Sequence, residues 1–115
     1  MNMVFLMKPF NLEKKMNGEV IRSYENYVEF QNNIAFHPGY YVEEIIQAKS
    51  ISQEAFAENL DVKPNELKKI ISGEQRITAE TAEKLSRLLG TSTAYWMNLQ
   101  NRYDEQIAEF KRCRA

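Results

Sequence analysis

One cysteine and one histidine are all that this chain of 115 residues offers to thiol or imidazole chemistry. Cys113 alone excludes an internal disulfide and fits a reducing compartment. His37 alone excludes a histidine-paired metal site, and it stands 76 positions from Cys113, so no nucleophile–base pair is adjacent in the sequence. No HExxH motif occurs, and the 4 glycines include no phosphate-cradling loop. Carboxylates are plentiful, but they sit on helical patterns beside lysines and arginines, as solubility charges do. The expectation is a protein that is not an enzyme, with no cofactor and no metal. Excess charge of one sign is also missing. Lys+Arg number 15 against 16 Asp+Glu, for a net charge of −1 and a pI near 5.9. Any affinity for nucleic acid must come from a local patch, doubled by pairing of two copies. Long apolar runs are absent too. The VFLM run within residues 1–7 is too short for a signal peptide core, and nothing approaches a membrane span. Cytoplasm is the expected compartment, with no membrane partner.

What is present suits one globular domain. Hydrophobic residues make up 43% and charged residues 27% of the chain, which is enough for a real core. The densest signal is residues 52–73, SQEAFAENLDVKPNELKKIISG, which read as two short helices joined by a tight turn. Ser52 can cap the first helix. Ala57 is small enough for a close crossing, and Phe56 and Leu60 share its inward face. Asp61 occupies the turn, where glycine is easiest but aspartate tolerates a left-handed backbone. Val62 plugs the turn into the core. Pro64 suits the first position of the next helix, which has no use for its missing N–H. Leu67, Ile70 and Ile71 form the buried stripe of that helix, and Gly73 ends it.

Off that stripe lie Lys63, Asn65, Glu66, Lys68 and Lys69. A helix-turn-helix sets the opening residues of its second helix against base edges in the major groove. Asn65 can pair with adenine and Lys69 can reach guanine acceptors. Gln53, at the start of the first helix, is placed to hold a phosphate. Lys63 and Lys68 are further phosphate contacts, while Ser72, Gln75 and Arg76 can fix register. The candidate DNA-binding set is thus Gln53, Lys63, Pro64, Asn65, Lys68, Lys69, Ser72, Gln75 and Arg76.

Three quotations carry a family resemblance. They are AFHPGYYVEEII at residues 35–46, the helix-turn-helix itself, and LGTSTAYWMNLQNRYD at residues 89–104. Residues 34–103 resemble the Xre-type helix-turn-helix, and within it the HigA group of addiction-module antitoxins. Asp61 departs from the usual glycine, and Lys63 stands where a small hydroxyl residue often caps. The resemblance implies an all-α, lambda-repressor-like domain of about five helices over residues 34–104, with an N-terminal extension over 1–33. Residues 105–115 extend the last helix. It also implies two partners. One is double-stranded operator DNA with a palindromic sequence, bound by a homodimer and giving nucleoid association. The other is a small basic toxin of the HigB/RelE-like mRNA-endonuclease kind, which Glu43, Glu44, Glu54 and Glu58 could face. A stand-alone repressor without a toxin, and an interaction module that has lost DNA binding, are the alternatives.

The flanks complete the reading. Residues 19–33 place Val20, Tyr24, Tyr27 and Val28 on one helical face, with a strand through Tyr27–Phe30 as the competing assignment. Asn17-Gly18 reads as a turn. The aromatic content of the extension makes Tyr24, Tyr27, Val28 and Phe30 candidate toxin contacts. His37 reads as a cap or turn residue before a helix over 39–49. Thr78 caps a fourth helix and Gly90 terminates it. In the last helix Trp96, Leu99, Tyr103, Ile107 and Phe110 recur at spacings of three and four. That stripe is the expected dimer seam, unless residues 19–33 of the same chain fold over it.

Overall fold

The computed structural model describes residues 12–16, 19–31 and 33–113. Among these residues four strands precede five helices. The strands are β1 (Leu12–Met16), β2 (Glu19–Ser23), β3 (Tyr27–Phe30) and β4 (Asn33–Phe36). The helices are α1 (Pro38–Lys49), α2 (Gln53–Leu60), α3 (Pro64–Ile71), α4 (Ala79–Leu89) and α5 (Thr93–Cys113). The five-helix domain is therefore as the sequence reading expects. The described residues ahead of it form strands, not a helix. They make an antiparallel meander in the order β1-β2-β3-β4. Asn17-Gly18 lies outside the described residues, but the strands on either side of it pair, Met16 opposite Glu19.

The helical reading of residues 19–33 failed because two covered faces imitate a helical period. Tyr27 and Phe30 are both buried although they point to opposite sides of β3. Val28, Phe30 and Ala35 meet Phe110, Tyr103 and Ile107 of α5. Phe30 and Phe110 have ring centroids 5.5 Å apart. Tyr27, opposite Phe36 in the register, turns the other way toward Tyr40 of α1.

Local chemistry sets the helix ends. The Ser52 hydroxyl accepts from the Ala55 amide at 3.0 Å, and Thr78 accepts from Thr81 at 3.3 Å. Ser92 accepts from the Tyr95 amide at the start of α5. Asp61 takes the left-handed backbone at φ 65, as its place in the turn requires. Lys63 makes no side-chain cap, so Pro64 alone prepares the start of α3. His37 is a cap: its Nδ1 accepts from the Gly39 amide at 2.9 Å. Burial drives its pKa down from 6.5 to about 4, so the ring is neutral at pH 7 and keeps its acceptor.

The main core joins all five helices through Val42, Ile46, Phe56, Leu60, Leu67, Ile70, Leu85 and Trp96, among others. Gly39 lets α1 cross α3 closely. A Cβ there would lie 2.0 Å from the Ile70 carbonyl oxygen. Buried Gln100 ties α5 to the loop after α3, accepting from the Ile77 amide at 2.7 Å and donating to Asp104.

This packing corrects two expectations. The stripe along α5 is not an open dimer seam. Trp96 is 1% exposed in the main core, and Leu99 packs against that core. Tyr103, Ile107 and Phe110 lie under the chain's own sheet. The proposed toxin contacts are also reduced. Phe30 is 1% and Tyr27 6% exposed, and Val28 packs into the α5 cluster. Of the four, Tyr24 is the half-buried ring of the outer aromatic group, stacked on Tyr27 at 4.4 Å.

Candidate nucleic-acid interface

The helix pair α2–α3 presents its polar side around a depression of about 460 Å³. Gln53 comes from the first turn of α2, Asn65, Lys68 and Lys69 from α3, and Ser72 from its C-terminal end. The spacing 65, 68, 69 is one helical face, opposite the buried stripe Leu67, Ile70 and Ile71. Asn65, Lys68 and Lys69 are exposed, as are Lys63 and Pro64. A second, shallower hollow joins Gln53, Pro64, Asn65 and Lys68. Six of the nine expected residues thus share one surface.

The other three stand differently. Lys63 is exposed just before α3 and borders neither hollow. Gln75 is half-buried, and its backbone carbonyl lies against His37. Arg76 is held by Asp104 of α5 at 2.9 Å, which turns its guanidinium toward that helix. Among the six, Ser72 also has local ties. Its hydroxyl lies 2.8 Å from the Glu74 carboxylate and 3.1 Å from the Lys69 carbonyl, with one proton for the two acceptors.

Sequence reasoning missed the acidic rim. Glu25, Glu43 and Glu74 line the same depression as the lysines. It also missed the support of α3. Asn26, in the turn between β2 and β3, donates to the Ile71 carbonyl at 3.0 Å and to Glu43 at 3.0 Å. Gly73 meets that turn at φ 81, and a Cβ there would lie 2.5 Å from the Glu25 carbonyl oxygen. Residues 45 apart in the chain make the Asn26 bond, so no local pattern announces it. Among the described residues no three of His, Cys, Asp and Glu are grouped to hold a metal. No helix there is long and apolar enough to cross a membrane.

Two short helices, a left-handed turn and an exposed polar face on the second helix define a helix-turn-helix DNA-binding protein. The Helix-turn-helix family model, HTH_3, matches residues 42–96. An addiction module antidote protein of the HigA family from Coxiella burnetii is 35% identical, with TM-score 0.63 over 67% of this chain and 85% of that one. The Pseudomonas aeruginosa antitoxin HigA, solved with the higBA promoter, is 33% identical, with TM-score 0.62 over 64% of this chain and 82% of that one. The uncharacterized HTH-type transcriptional regulator YddM of Escherichia coli K12 is 32% identical over 72 residues, 63% of this chain and 77% of that protein. The chain belongs to the Xre-type helix-turn-helix family, among HigA-like antitoxins and transcriptional regulators.

Proposed function

We propose that the chain is the antitoxin of a two-protein addiction module and the repressor of its own operon. As a homodimer it binds a palindromic operator, with one α3 helix in each of two major grooves about 34 Å apart. As an antitoxin it captures a small basic mRNA endonuclease of the HigB/RelE-like kind. The observation that carries the DNA half is the α2–α3 face, where Gln53, Asn65, Lys68 and Lys69 converge on one depression. HigA of P. aeruginosa, a relative of the same fold, was solved with its promoter DNA, which supports that assignment.

Asn65 and Lys69 read bases, while Gln53, Lys63 and Lys68 hold phosphates. Glu25, Glu43 and Glu74 oppose the same backbone, so one copy binds DNA weakly and two are needed. The dimer surface lies outside the covered face of α5. Co-expression with the adjoining gene tests the antitoxin half. Growth rescue with co-purification of a basic protein supports it. Normal growth when the adjoining gene is expressed alone contradicts it and leaves a stand-alone repressor.

A further inference from the structure

We propose that Gln100 and Asp104 of α5 position Arg76 as a phosphate contact in the loop that follows the reading helix. The proposal rests on the DNA half of the function above and adds two positioning residues to it. Both lie beyond residues 42–96, the span of the helix-turn-helix family match.

The loop leaving α3 is held at three points. At its start the amides of Glu74 and Gln75 both donate to the Lys69 carbonyl, at 2.9 and 3.2 Å. In its middle the Gln75 carbonyl lies against buried His37. At its end the amide of Ile77, 0% exposed, donates to Oε1 of Gln100 at 2.7 Å. The loop is thus tied at one end to the turn of α3 that carries Lys69, and at the other to α5. Arg76 sits between the last two points, on a backbone with little freedom to swing.

Its side chain is held as well. Nη2 of Arg76 lies 2.9 Å from Oδ2 of Asp104. The other carboxylate oxygen, Oδ1, accepts from Nε2 of Gln100 at 3.1 Å. Gln100 is 1% exposed, and its oxygen already serves Ile77, so only its nitrogen can face Asp104. The buried Ile77 amide therefore orients Gln100, Gln100 orients Asp104, and Asp104 orients the guanidinium.

Stability does not account for the pair. The side chains of Arg76 and Asp104 are 55% and 41% exposed, and ion pairs that open to water contribute little to folding. What the pair supplies is order. A free arginine loses rotamer freedom when it grips a phosphate, and one already held loses less. The guanidinium has five N–H groups, more than one carboxylate can use, and over half of the side chain meets solvent. A cation held in this way can fix the register in which α3 meets the bases.

The test measures binding of the full chain to its own upstream DNA over a range of salt, for wild type, Arg76→Ala, Asp104→Asn and the double variant. Asp104→Asn keeps an oxygen for Gln100 and removes the charge that holds Arg76. Arg76→Ala should weaken binding about tenfold and reduce the salt slope by about one for each half-site. Asp104→Asn should weaken binding about threefold, the order of one arginine's restored freedom. Loss of a negative charge beside DNA would by itself strengthen binding, so the sign separates positioning from net charge. In the Arg76→Ala background Asp104→Asn should weaken binding no further, which is the coupling of two residues that act as one. Thermal midpoints should match wild type. Stronger binding by Asp104→Asn, or an equal loss with and without Arg76, overturns the proposal. So does wild-type affinity in Arg76→Ala. In each of these cases the DNA reading stands. No binding of the wild-type chain overturns the DNA reading, and this proposal with it.

Discussion

The helical domain and the sheet beside it are held by different kinds of contact. Eleven buried residues from all five helices, with Ile77 from the loop after α3, make one continuous core in the first. The sheet leans on that domain through a small buried cluster, Phe30, Ala35 and Phe110, through Tyr27 and Phe36 against Tyr40 of α1, and through Asn26 at one turn. A core of the first size stabilises a fold unaided, whereas a small meander needs a surface to lie on. The domain carries the helix-turn-helix, and the sheet is an attachment that reaches the end of α3.

The largest test of that contrast is a pair of truncations. Phe56→Ala should cost about 3–5 kcal/mol in denaturant unfolding, because the main core cannot collapse into the space. Phe110→Ala should cost about 2–3 kcal/mol, nearer the value of burying one ring. In hydrogen exchange its strand amides should lose protection while those of α2 and α3 keep theirs. Equal loss in both regions would show that sheet and domain are one cooperative unit.

Acid should act next, through His37. Its folded pKa near 4 lies below the unfolded 6.5, so the unfolded chain takes up the proton first. That contribution is fully present above pH 6.5 and is lost as pH falls toward 4, up to about 3 kcal/mol. Unfolding midpoints across this window, compared with His37→Asn, isolate it from the carboxylates. The variant should show a flatter slope.

A smaller effect joins the two regions. Gly73→Ala forces a left-handed alanine against the Glu25 carbonyl, at a cost of about 2 kcal/mol. It should also weaken operator binding, because the turn carrying Asn26 must shift from the end of α3. Stability loss with unchanged operator affinity would show that the turn does not position the helix.

The same contrast explains what could be read from the chain. Ser52, Thr78 and Ser92 cap amides three residues away, and Asp61 and Gly90 end helices in the left-handed region. Such chemistry is local and therefore visible in a short window. The meander is not local. Asn26 finds Ile71 across 45 residues, and Gln106 finds Ile34 across 72. Tyr27 and Phe30 hid the strand period because both faces of β3 are covered. Of the candidate interface, the shared exposed face of Asn65, Lys68 and Lys69 was legible from helical spacing. The glutamates that share their depression come in part from other elements, Glu25 from the β2–β3 turn and Glu43 from α1. The seam expected along α5 was legible as an apolar stripe, but a stripe does not say which surface covers it.

The most direct test of the account is binding of the wild-type chain, Asn65→Ala and Lys69→Ala to the chain's own upstream DNA, by gel shift and footprinting over a range of salt. Wild type should protect two half-sites and lose affinity steeply as salt rises. Each variant should cost about 1–3 kcal/mol and relax preference at one base position per half-site. Wild-type affinity and base preference in both variants would contradict the assignment of the α2–α3 face as the reading surface.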